Sequence, residues 1–140
     1  MIRKIFFVFI IVSFWPNILF SKSEYFKGGI DLYSKNKYED AKFKFEQDIV
    51  FNPKSELSYL YLSKIYNKQE NKKLEEQNLN TVILLNPKNE EAIYYLAKLK
   101  LSESDYEKSK ELYRRLRLIC SKYCTKSENL KLEIENLSKK

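Results

Sequence analysis

A chain of 140 residues with 44% apolar side chains, 11 Tyr and 9 Phe can bury one core and is too short for two ordinary domains. Only 2 Gly and 3 Pro argue against an all-β protein built on many tight turns. The formal charge of +7 falls to +4 beyond residue 23, with 23 bases against 19 acids, an excess too modest to point to nucleic acid.

The N-terminus reads as a targeting segment. Arg3 and Lys4 supply a positive start, residues 5–15 are apolar except for Ser13, and Pro16-Asn17 breaks the run. Ser21-Lys22-Ser23 then places small residues two apart. This order predicts a secretory signal peptide over residues 1–23, cleaved after Ser21 or Ser23. Residues 5–20 are slightly short for a spanning helix, so an uncleaved anchor is the alternative, and a buried core helix the third. No Cys lies near the cleavage region, which argues against a lipid-modified terminus. Either of the first two readings predicts an exported chain in the periplasm or cell envelope, or secreted. Lys outnumbers Arg 22 to 4, which fits an AT-rich, bacterial genome.

Beyond Ser23 the chain repeats itself. Phe51-Asn52-Pro53-Lys54 returns 34 residues later as Leu85-Asn86-Pro87-Lys88. At that offset Gly29, Ser63 and Ala97 share a column, as do Ala41, Glu75 and Ser109, and Phe45, Leu79 and Tyr113. Apolar residues within each row are spaced as on a helix, and a polar break falls mid-row. Each Asn-Pro pair separates one row from the next. Helices are therefore predicted near 24–35, 38–51, 56–69, 72–85, 90–102 and 105–119. A further amphipathic helix over 127–137, with Leu130, Ile134 and Leu137 on its stripe, suits a terminal cap.

Period, small columns and terminal Pro together resemble the tetratricopeptide repeat. The resemblance covers about residues 24–121. It implies an all-α, right-handed solenoid of three repeats, about 22–55, 56–89 and 90–123, with a capping helix in 125–140. Row two departs at Glu75, whose side chain is long enough to reach solvent; row three lacks the Pro.

In proteins of this family the first helix of each pair lines a concave groove that holds a partner segment. Carried over by column, the lining would be Phe26, Ile30, Tyr33, Leu60, Lys64, Asn67, Lys68, Tyr94, Lys98 and Leu101. Aromatic anchors with a few cations suit a segment bearing apolar side chains and an acid. The family's carboxylate-gripping variants need Lys and Asn where Phe26 and Ile30 stand, so that activity does not carry over.

Catalytic signatures are missing. The sequence has no His, which removes the commonest general base and metal ligand. It has neither a phosphate loop nor a nucleophile elbow. Acid pairs such as Glu90-Glu91 sit where helix-start acids complement the dipole. Cys120 and Cys124 cannot complete a zinc site, and their spacing is not that of a thiol oxidoreductase. In an exported chain a local disulfide is the best reading, with free thiols or an intermolecular link as alternatives. Lys108, Lys110, Arg114, Arg115 and Arg117 read as a solvated face, or as a surface for an acidic partner or lipid headgroup.

The reading is a non-catalytic adaptor that binds a protein or peptide partner in its groove, without cofactor or metal. Self-association through an exposed end would suit an array this short. The alternatives are a membrane-anchored envelope assembly factor and a thiol-redox protein using Cys120 and Cys124.

Overall fold

The computed structural model describes residues 23–137, so all of the predicted targeting segment but Ser23 lies outside the described residues. Seven helices follow one another: α1 (Glu24–Ser34), α2 (Tyr38–Phe51), α3 (Glu56–Lys68), α4 (Lys72–Leu85), α5 (Glu90–Ser102), α6 (Tyr106–Ile119) and α7 (Cys124–Leu137). Among the described residues there is no strand, and no helix is long and apolar enough to cross a membrane.

Local chemistry explains the helix ends. Ser23, Asn71, Asn89 and Asp105 each accept a hydrogen bond from the backbone amide three residues on, which satisfies an orphan donor at the start of α1, α4, α5 and α6. The first helix of each pair ends in a Schellman turn. Lys37 N–H donates to Leu32 O, Asn71 N–H to Tyr66 O and Asp105 N–H to Lys100 O, at 2.9–3.0 Å. Each turn passes through one left-handed residue, Asn36, Glu70 or Ser104, with φ of 59°, 55° and 61°. These residues recur at the 34-residue offset, so the period is written in the backbone as well as in the side chains.

Helices α1 and α2, α3 and α4, and α5 and α6 pack as hairpins, while α7 lies against α6 and α5. The small column permits close crossing. A Cβ on Gly29 would stand 2.6 Å from the buried Phe45 ring. In the third hairpin Ser109, buried, donates to Ala97 O at 2.9 Å across the crossing.

Two apolar clusters make the core. Phe26, Ala41, Phe45, Leu62 and Ile65 form the first. The second runs from Leu60 and Leu79 through Ile93, Leu96 and Leu116 to Leu130 and Ile134 of α7. Helix α3 serves both, with Leu62 and Ile65 turned to one and Leu60 to the other. Burying such a side chain contributes about 1.5–3 kcal/mol relative to exposure.

The junction before α7 differs from the expectation. The helix begins at Cys124 rather than near Ser127. Glu90, at the start of α5, supplies the reason. Its carboxylate accepts the backbone N–H groups of Ser121, Lys122 and Tyr123 at 2.8–2.9 Å, and the Ser121 hydroxyl at 2.7 Å. Burial raises the Glu90 pKa, but these four donors outweigh it and hold the group at about 2. The amides before α7 are thus satisfied without the Asn-Pro punctuation of the earlier rows. A disulfide joins Cys120, the C-cap of α6, to Cys124, the first residue of α7, with Cα atoms 5.2 Å apart.

Candidate partner-binding groove

Two adjoining cavities open among the first helices α1, α3 and α5, with α4 as part of their wall. One, of about 300 Å³, is lined by Tyr33, Ser63, Lys64, Asn67, Lys68, Glu75 and Tyr95. The other, of about 390 Å³, is lined by Asn67, Glu70, Lys72, Glu75, Tyr95, Lys98, Leu99 and Ser102. Asn67, Glu75 and Tyr95 border both, so the two form one furrow.

Five expected lining residues, Tyr33, Lys64, Asn67, Lys68 and Lys98, border this furrow. Three are corrected. Phe26, Leu60 and Leu101 are buried core residues and present no surface to a partner. The remaining two, Ile30 and Tyr94, are half-buried against the core. Tyr94 also meets the Tyr95 ring edge-on and the Tyr123 ring at a tilt, with centroids 5.4 and 5.5 Å away.

The discrepancy is one of rotation. On α5 the furrow is bordered by Tyr95, Lys98, Leu99 and Ser102, of which Tyr95 is half-buried against the core like Tyr94, whereas Tyr94 and Leu101 sit one residue earlier and do not border it. A single residue turns a helix by about 100°, which separates the groove face from the core face.

Glu75 also departs from expectation. Its side chain does not reach solvent; it is 3% exposed, and its carboxylate lies under the furrow. Both oxygens accept from the Asn67 amide, at 3.0 and 3.1 Å. Burial raises its pKa, Asn67 opposes that, and nearby Glu103 adds to it while Lys72 opposes it.

The cations are mostly engaged. Lys64 pairs with Glu91 at 2.7 Å and lies over the Tyr61 ring. Lys98 pairs with Glu133 of α7, and Lys68 sits 4.8 Å above the Tyr38 ring. Tyr33 is held above its ordinary pKa by burial and by the Tyr38 and Tyr61 hydroxyls, so it stays a neutral donor. The furrow therefore offers ring faces, an amide and neutral hydroxyls around paired charges.

No family model and no curated protein sequence matches the chain. Solved structures do match in shape. The Yersinia enterocolitica type III secretion chaperone SycD, in complex with a peptide of the translocator YopD, superposes with a TM-score of 0.72 at 14% identity, over 81% of this chain and 89% of that one. The TPR2B domain of yeast Sti1, in its pHsp70 complex, gives 0.74 at 14% identity, over 81% and 94%. The first TPR of Spaghetti (RPAP3), bound to the HSP90 peptide SRMEEVD, gives 0.70 at 16% identity, over 81% and 90%. At such low identity the likeness speaks to architecture alone, and the architecture of residues 23–137 is that of a tetratricopeptide-repeat domain.

Proposed function

We propose that this chain is a non-catalytic interaction module that binds an extended or helical segment of a partner protein in the furrow between α1, α3 and α5. The observation that carries the reading is the continuous furrow with Tyr33 and Tyr95 on its walls. Two aromatic faces of this kind supply large contact area at low entropic cost. Similarly folded domains hold peptides, which supports the same use here. With Lys64 and Lys98 already paired, recognition rests on apolar and aromatic side chains of the partner more than on an acid.

We further propose that the protein works outside the cytoplasm, exported by its N-terminal segment. The charge and apolar order of residues 1–23 supports this, and a Cys120–Cys124 disulfide suits an oxidising compartment.

The test is crosslinked affinity purification from native cells with wild type and a Tyr33→Ala, Tyr95→Ala double variant. One envelope protein recovered with wild type and at least tenfold depleted with the variant is the expected result. Recovery of the same proteins with both would remove the furrow as the binding site.

A further inference from the structure

In this stack the chain enters each first helix and leaves each second helix at one edge. Tyr25 of α1 stacks on Phe51 at the end of α2, with centroids 5.2 Å apart. Glu56 at the start of α3 reaches Asn86 and Asn89 before α5, and Glu90 reaches residues 121–123 before α7. The three loops therefore line up along that edge.

Two ladders run along it at the repeat spacing. Val50, Leu84 and Leu118, each in the last turn of a second helix, are 74%, 80% and 86% exposed. Aliphatic side chains that open to water at one repeat position, three times over, are not scattered surface residues. Four residues further on in each row come Lys54, Lys88 and Lys122, all exposed and none in an ion pair among the described residues. Phe51, 70% exposed, adds an aromatic face at one end. Arg117 extends the positive charge at the other, with only a 3.9 Å contact to Glu128.

The acids of the edge are mostly withdrawn. Asp48 is buried beneath the Ser23, Ser55 and Ser58 hydroxyls. Glu56 and Glu90 are turned into the loops they hold. Glu24, in the first turn of α1, and Glu128, beside Arg117, are the exposed acids, set against the three lysines and Arg117.

Apolar knobs set beside unpaired lysines match the surface of an anionic bilayer, where short aliphatic side chains enter the headgroup boundary and lysines meet phosphate. We propose that this loop edge docks on an anionic phospholipid surface through Val50, Leu84 and Leu118, with Lys54, Lys88 and Lys122 at the headgroups. Docking this way leaves the furrow, on the side of the first helices, open to a partner.

The probe is an environment-sensitive fluorophore on a Leu84→Cys variant of the full chain, with a Lys37→Cys label on the opposite edge as control. Vesicles of equal parts phosphatidylglycerol and phosphatidylcholine should shift the Leu84 label to the blue and leave the Lys37 label unchanged. Pure phosphatidylcholine should shift neither, even if the N-terminal segment inserts. A Lys54→Glu, Lys88→Glu, Lys122→Glu variant should need on the order of a hundredfold more anionic lipid for the same shift. An unchanged Leu84 label on anionic vesicles overturns the proposal. So does a shift that appears without lipid as protein concentration rises, which would place a second copy on the edge.

Discussion

Glu75 stands where the other repeats carry Ala41 and Ser109, and it brings a carboxylate into a position shaped for a small side chain. Its only hydrogen-bond donor among the described residues is the Asn67 amide. Because burial raises its folded-state pKa, the folded chain holds this proton more tightly than the unfolded one. Well below the ordinary carboxylate range both states are protonated and nothing is lost. As pH rises the unfolded chain releases the proton first, so stability falls until the folded carboxyl has titrated too. Glu75→Gln has no proton to release and keeps an acceptor for Asn67. Thermal unfolding should therefore show the Gln variant more stable than wild type at neutral pH, with the difference closing in acid. A wild type that is the more stable at neutral pH would mean the carboxylate is stabilised in place. Glu70 and Ser104 carry a related strain. Each adopts left-handed φ without being Gly, at a cost of roughly 1–2 kcal/mol each.

Among the elements, α7 depends most on a single side chain. Glu90 bridges the start of α5 to the three amides that precede α7, while the disulfide ties the same segment to the end of α6. Glu90→Ala should loosen this junction and lower stability by about 1 kcal/mol, the scale of a lost N-cap. Hydrogen exchange should speed at residues 121–123 and in the first turn of α7, and much less in α1 and α2. The contribution belongs to the ionised carboxylate, so it is present at neutral pH and fades as pH falls toward about 2. Unchanged exchange at 121–123 would show that the disulfide suffices. The helices themselves were legible in the sequence, with α1 to α6 within one residue of expectation at each end, because the period fixes their turns. The start of α7 was not. It rests on a carboxylate 31 to 33 residues away, and no local pattern announces such a contact.

At the scale of the whole molecule, the first helices present one continuous furrow, with the cap closing the far end through Leu130 and Ile134. Its general place followed from the repeat columns, but its lining did not. The columns say which residues are equivalent without saying which of two neighbours faces outward. Thus Leu60 and Leu101 proved to be core, while Tyr95 and Ser102 line the surface. Glu75 was misjudged because side-chain length says nothing about the direction a neighbouring amide draws it. The most direct test of the furrow as the working surface is a photoreactive amino acid placed at Tyr95 and, separately, at Asn80, an exposed position of the second helix α4. Irradiation in native cells should give one discrete adduct from position 95 and none from position 80. An adduct from position 80 with none from position 95 would contradict the account and move the binding surface to the opposite face.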